Sequence, residues 1–155
     1  MLLHVDDDEN DRALVKEAIE ITKTPFKYLG APSLQTAVDL LKSPSEGTHS
    51  KPVQPALILL DYNLGTRCGV DLLYWLRTVK KTNVRVVMLS GSDDESEIDD
   101  CYVHGANHFL TKPQDLGRIK SMVQRLYQCV TNSSESLRKL TEYRGNAREV
   151  CCAHF

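Results

Sequence analysis

Three carboxylates and one ammonium are the side chains of this 155-residue chain whose positions suggest shared chemistry. Asp6 and Asp7 close the first apolar stretch of the sequence, Asp61 closes the central one and Lys112 closes the last one. Two like charges about 4 Å apart repel each other by about 4 kcal/mol at an effective dielectric constant of 20, so acids that meet need a compensating cation. If these stretches lie side by side, the sequence predicts a cation-binding acidic cluster around Asp61.

The types of ligand favour Mg²⁺ as that cation. Carboxylate oxygens suit magnesium, whereas the cysteines and histidines of the chain show no spacing typical of a zinc site. Magnesium keeps part of its coordination shell for water and phosphate oxygens, and an ammonium from Lys112 beside Asp61 suggests a bound phosphoryl group. The hydroxyl of Ser90, at the end of a neighbouring apolar stretch, could hydrogen-bond another phosphoryl oxygen.

The elements that must position these residues alternate between strand and helix. Short runs of branched apolar residues predict buried strands at 2–5, 26–29, 56–60, 84–89 and 107–111. Apolar residues at helical spacing predict helices at 8–22, 34–41, 70–80, 93–105 and 116–130. The fold class is therefore α/β, with a doubly wound five-stranded parallel sheet flanked by five helices. Parallel strands end at one edge of the sheet, where open α/β sheets place their chemistry.

Length and charge limit the class of protein. We expect one domain over residues 1–132, followed by a polar tail over 133–155 that is a frayed helix or disordered. That tail is too short for a DNA-reading domain, and a net charge of −2 with a pI near 6.2 gives no general attraction to nucleic acid or to a membrane. Since the sequence shows no spanning stretch and no signal peptide, we expect a cytoplasmic protein whose five cysteines are reduced.

The fourth predicted helix is rich in acids. Six of them lie between Asp93 and Asp100 with few apolar residues, so its buried stripe is thin and we expect it to be the loosest helix of the fold. A change of charge at Asp61 would therefore move this helix more easily than the others.

Four short motifs carry the candidate residues, and in chain order they are HVDD, LLDYN, MLSG and FLTKP. Together they resemble the receiver domain of two-component response regulators, over residues 1 to about 130. The resemblance implies a flavodoxin-like sheet with strand order 2-1-3-4-5, in a single-domain regulator similar to the chemotaxis regulators. It also implies a protein that is no enzyme beyond phosphorylating and dephosphorylating itself on Asp61.

The resemblance assigns roles to the acidic residues. Asp61 would accept a phosphoryl group from a phosphohistidine of a sensor histidine kinase or phosphotransfer protein. Asp7 and Asp61 would ligate Mg²⁺ directly. The backbone carbonyl of Asn63 would be a third ligand, and Asp6 would act through water.

The resemblance also implies how the protein would switch. Lys112 would pair with the phosphoryl oxygens, Ser90 would swing toward them, and Phe109 would turn inward to fill the space. A downstream target would dock on the face formed by the fourth and fifth helices and the fifth strand, where the acids suggest a basic partner. Receivers usually carry proline where Gly65 stands and alanine where Gly91 stands, so both loops should be more flexible here.

Other readings of the same residues remain open. The chain could be a receiver that is never phosphorylated and serves as a scaffold. A Mg²⁺-dependent phosphatase with a nucleophilic aspartate, of the haloacid dehalogenase type, would need a second acid where Asn63 stands, and room for a cap domain. In a flavin-binding flavodoxin, the acidic loop DDDEND would repel the flavin phosphate.

Overall fold

The computed structural model describes residues 1–42 and 51–131 of the chain. Its strands are β1 (Leu2–Val5), β2 (Tyr28–Ala31), β3 (Leu57–Asp61), β4 (Asn63–Leu64), β5 (Arg67–Cys68), β6 (Arg85–Ser90) and β7 (His108–Thr111). Its helices are α1 (Glu9–Ile21), α2 (Leu34–Leu41), α3 (Gly69–Thr78), α4 (Glu95–Val103) and α5 (Leu116–Thr131). The tail predicted over 133–155 lies outside the described residues.

Five of the strands form one parallel sheet in the order β2-β1-β3-β6-β7. The other two, β4 and β5, pair with each other in a short antiparallel hairpin apart from the sheet. With the hairpin left aside, the order along the chain is 2-1-3-4-5. The predicted doubly wound α/β fold is therefore confirmed.

The core lies on both faces of the sheet because the central strand alternates its side chains between them. Ile58 and Leu60 of β3 pack in a cluster with buried residues of α2, α3 and α4. Leu57 and Leu59 of the same strand pack in a second cluster with buried residues of α1 and α5. All four side chains are at most 1% exposed, as expected for a strand covered by helices on both faces.

Side chains cap the first turns of α1 and α2. Asp8 caps α1 by accepting from the backbone N–H groups of Asn10 and Asp11, and Ser33 caps α2 by accepting from the N–H of Thr36. In α4, Cys101 is the one residue that is fully buried, which confirms the thin buried stripe predicted for this helix.

Several predicted boundaries differ from the observed ones by one or two residues, those of α4 at both ends among them, and two of the differences have a clear physical cause. β2 begins at Tyr28 rather than residue 26, because the ring of Phe26 packs edge-on against Tyr127, with 5.2 Å between ring centroids, and pairing with β1 starts only at Tyr28. α3 ends at Thr78 rather than residue 80, because the N–H groups of Val79 and Lys80 both donate to the carbonyl of Trp75 and close the last turn. Over the described ranges, no helix is both long and apolar enough to cross a membrane.

Candidate functional site

The predicted acidic cluster forms at the carboxyl ends of β1 and β3. These strands are hydrogen-bonded neighbours with Val5 opposite Leu60, so the acids that follow them are adjacent. Asp6, Asp7 and Asp61 each offer a carboxylate oxygen within 4.8 Å of the others'. Asp6 is fully buried, Asp61 is 4% exposed and Asp7 is open to solvent. A set of oxygen ligands with one open side fits a magnesium-like cation.

Lys112 joins this cluster from the end of β7. Its ammonium Nζ donates to Asp61 Oδ2 at 2.9 Å, to Asp6 Oδ2 at 3.0 Å and to Asp11 Oδ2 at 2.8 Å. Burial of Lys112 opposes its charge, but hydrogen bonds to Asp11, Asp61 and Asp6 outweigh that effect and raise its pKa. The lysine therefore stays charged and compensates part of the negative charge around Asp61.

Asp11 was not anticipated as part of the site. The sequence placed it only among the acids at the start of α1. Because helical side chains lean toward the N-terminus of their helix, residue 11 reaches back over the first turn toward Lys112. No spacing in the sequence indicates this contact, because it depends on how α1 is rotated about its axis.

Asp6 is held in place from several directions. Its Oδ1 accepts the N–H of Asp8 at 2.9 Å, and its Oδ2 lies 3.6 Å from Nε2 of the buried His4. The other ring nitrogen of His4 contacts the Tyr28 hydroxyl at 3.2 Å. Burial opposes the charge of Asp6, but hydrogen bonds involving His4, Lys112 and the Asp8 N–H together lower its pKa. Asp6 is therefore a fixed negative charge beside Asp61.

Asp61 has the opposite electrostatic balance. Burial raises its pKa, the charge of Asp6 adds to the effect, and hydrogen bonds from Lys112 and from the Asn63 N–H offset it only in part. The Asn63 N–H donates to Asp61 Oδ1 at 3.3 Å. The carbonyl of Asn63 remains a predicted metal ligand. A cation beside Asp61 would favour its charged, nucleophilic form.

The hairpin after Asp61 is held against the end of β3 by a glycine. Gly69 donates its N–H to the carbonyl of Tyr62 at 2.7 Å, and a Cβ on Gly69 would overlap the backbone carbonyl of Asp61. Within the hairpin, Gly65 has a φ of +63°, a conformation closed to the proline that is usual at this position in receivers. The backbone conformation of this loop at residue 65 therefore suits glycine and not proline.

Ser90 lies at the expected strand end, but its hydroxyl is turned toward α4. The fully buried side chain donates from Oγ to Glu97 Oε2 at 2.9 Å and accepts from the N–H of Ser92 at 3.1 Å. Sequence reasoning placed Glu97 only on a solvated acidic face and missed this contact. Phe109 is packed in the core at 3% exposure, and its role in switching stays a prediction.

The fold and the site together define a class of protein. It is a flavodoxin-like α/β domain of CheY-like fold, with acids and a lysine clustered at the carboxyl edge of its sheet. The family model described as the response regulator receiver domain matches residues 2–124, and the chain belongs to this family.

Individual relatives agree with this assignment. The two-component response regulator ARR7 of Arabidopsis thaliana is 27% identical over 150 residues, covering 91% of this chain and 71% of ARR7. The crystal structure of the phosphorylated cyanobacterial phytochrome response regulator RcpA superposes with a TM-score of 0.72 at 25% identity, covering 86% of this chain and 95% of RcpA. The crystal structure of the Mn²⁺-bound form of the response regulator Rcp1 superposes with a TM-score of 0.71 at 26% identity, covering 87% of this chain and 96% of Rcp1.

Proposed function

We propose that this chain is a single-domain two-component response regulator that accepts a phosphoryl group on Asp61 in a Mg²⁺-dependent reaction. One observation carries the proposal. Oxygens of Asp6, Asp7 and Asp61 lie within 4.8 Å of one another, while the ammonium of Lys112 is 2.9 Å from Asp61. This arrangement supports a nucleophilic role for Asp61 beside a cation-binding site and beside a positive charge.

The reaction follows from the chemistry of these groups. A carboxylate oxygen of Asp61 attacks the phosphorus of a phosphohistidine, the phosphorus–nitrogen bond breaks, and the imidazole leaves with the electron pair. The product is an aspartyl phosphate on Asp61. The ammonium of Lys112 pairs with the phosphoryl oxygens as they approach.

The metal site would be formed by the residues of the same edge. Asp7 and Asp61 would ligate Mg²⁺ directly, with the carbonyl of Asn63 as a third ligand and Asp6 acting through water. When bound, the metal would neutralise charge between the carboxylates and the phosphoryl oxygens. Binding of Mn²⁺ by the related Rcp1 supports a divalent cation here.

Receiver domains interact with histidine kinases or phosphotransfer proteins and with downstream targets. For this chain, we propose that the target docks on the face of α4, β7 and α5, and that the acids of α4 meet a basic surface on the target. Receiver domains are generally not enzymes, and the chemistry proposed here is limited to self-phosphorylation and autodephosphorylation. Neutralising the exposed Asp93, Glu95 and Asp99, which leaves the Ser90 contact of Glu97 and the Asp94 cap intact, should weaken target binding and its salt dependence, and unchanged binding would exclude this docking mode.

The phosphorylation itself can be tested with a small phosphodonor. The purified chain is incubated with acetyl phosphate and Mg²⁺, and its intact mass is measured. We expect a gain of one phosphate that is abolished by Asp61→Asn and by removing Mg²⁺ with a chelator. Asp71→Asn is the matched control, since this exposed acid contacts only Arg67, at 4.0 Å, among the described ion pairs.

The outcomes separate the alternatives. A phosphate gain that persists in the Asp61→Asn variant would identify another acceptor. A folded wild-type chain that gains no phosphate and binds no beryllofluoride in Mg²⁺ would instead be a scaffold receiver. Release of inorganic phosphate from phosphate esters with many turnovers would indicate a phosphatase.

A further inference from the structure

The hydroxyl of Ser90 is hydrogen-bonded to a side chain of α4. A serine hydroxyl has one proton to donate, and here that proton goes to the carboxylate of Glu97 at 2.9 Å. Its oxygen accepts the N–H of Ser92, which fixes the hydroxyl at the start of the loop toward α4. Ser90 therefore cannot donate to a phosphoryl oxygen on Asp61 until the Ser90–Glu97 hydrogen bond breaks.

We propose that Glu97 is a positioning residue that restrains the unphosphorylated conformation by holding Ser90. The proposal rests on the proposed function, because the competing partner of Ser90 is the phosphoryl group of Asp61. Formation of the aspartyl phosphate then exchanges one acceptor for another. The Ser90 hydroxyl leaves the carboxylate of Glu97 for a phosphoryl oxygen, and no covalent bond changes in this step.

The position of Glu97 links this exchange to α4. Glu97 lies in the first turn of the helix, which is capped by Asp94 and has Cys101 as its one fully buried side chain. A helix with so little buried apolar surface has little packing to resist a shift of its first turn. Release of Ser90 therefore frees the end of α4 nearest the phosphorylation site.

The proposal is tested by the affinity of the full chain for beryllofluoride in saturating Mg²⁺, which mimics the phosphoryl group. The amide signal of Ser92 in ¹⁵N-labelled protein reports on the hydroxyl of Ser90, because that amide donates to it. Removing a hydrogen bond to a charged group by Glu97→Ala should tighten binding by roughly tenfold. Glu97→Gln keeps a neutral acceptor for Ser90 and should tighten binding less.

Two controls separate the hydrogen bond from a general loss of charge. Glu95→Ala removes the same charge from the same turn, but its exposed side chain makes no contact with Ser90 among the described hydrogen bonds. It should therefore leave the affinity within about twofold of wild type. In a Ser90→Ala background, Glu97→Ala should have no further effect, because the bond it removes is already absent.

Each outcome is decisive. Tighter binding by Glu97→Ala that disappears in the Ser90→Ala background supports the proposal. If wild type binds beryllofluoride and Glu97→Ala matches wild type or Glu95→Ala, the role of Glu97 is overturned while the proposed function stands. If wild type binds no beryllofluoride and gains no phosphate, the proposed function and the role of Glu97 fall together.

Discussion

The surroundings of Asp61 oppose the charge of its carboxylate. Burial and the neighbouring Asp6 raise its pKa, and Lys112 compensates only in part. In the absence of metal, the folded chain therefore holds a proton on Asp61 up to a higher pH than the unfolded chain does. Folding stability falls as the pH rises through the folded-state pKa, and the destabilisation is complete above it.

This balance predicts that removing the charge stabilises the fold. Without metal at neutral pH, Asp61→Asn should raise the free energy of unfolding by about 1 kcal/mol, a gain typical of substitutions that relieve a functional site. Below the unfolded-state pKa the gain should disappear, because wild type is then protonated at residue 61. Urea unfolding with a chelator at both pH values measures this. The exposed Asp39→Asn is the control, and a variant less stable than wild type at neutral pH would contradict the expectation.

Among single residues, the sequence predicted the site residues that lie at strand ends. It did not predict the site residues that lie on helices. Asp61 ends β3, and Asp6, Asp7 and Lys112 directly follow β1 and β7. Parallel strands bring such positions together whatever the details of packing. Contacts made by Asp11 and other helical acids depend instead on how each helix is rotated about its axis. No pattern of apolar residues fixes that rotation to within a hydrogen-bond distance.

At the scale of elements, Arg77 ties the end of α3 to the strands that carry Ser90 and Lys112. Its guanidinium donates to the carbonyls of Thr82 and Val84 before β6, and to the carbonyl of Gly105 before β7. The rigid, planar guanidinium of Arg77 thus connects the end of α3 with the segments before β6 and β7, at the edge of the sheet opposite the candidate site.

The prediction for this contact is a loss of stability on a substitution that keeps the charge. Arg77→Lys should lower the free energy of unfolding by about 2 kcal/mol, because one ammonium cannot serve all these acceptors and partly buried carbonyls lose their donors. Arg67→Lys, at an exposed ion pair 4.0 Å long, should change it by less than about 0.5 kcal/mol. Equal urea midpoints for the two variants would show that Arg77 does not tie these segments together.

Element types could be predicted from the sequence, whereas element ends could not. The alternation of short apolar runs with helical periodicity gave all five strands of the sheet and all five helices. The start of β2 and the end of α3 differ because pairing with β1 and the turn closed on Trp75 decide them. Those are contacts between distant or non-periodic positions, which a local pattern does not contain.

For the whole molecule, we expect stability and metal binding to be coupled through the same edge of the sheet. A helix pair, α1 and α5, covers one face, helices α2, α3 and α4 contribute to the other, and the acids converge only when the central strands are assembled. The unfolded chain has no such convergence, so a cation held by these acids would bind the native state selectively. Binding of that kind raises the free energy of unfolding by RT ln(1 + [L]/Kd).

If metal binding and stability are coupled, the gain in stability from Mg²⁺ should depend on the exposed Asp7. At about 100 times its Kd, Mg²⁺ should stabilise wild type by about 2.7 kcal/mol. Asp7→Asn should lose most of this gain, because it removes a proposed direct ligand without disturbing a buried group. Asp8→Asn makes the same change of charge one residue later and should keep the gain, since asparagine also caps α1. Urea unfolding with Mg²⁺ or a chelator compares the three chains. Equal Mg²⁺ stabilisation of both variants would place the cation away from Asp7 and leave the acids of the sheet edge to be compensated by Lys112 alone.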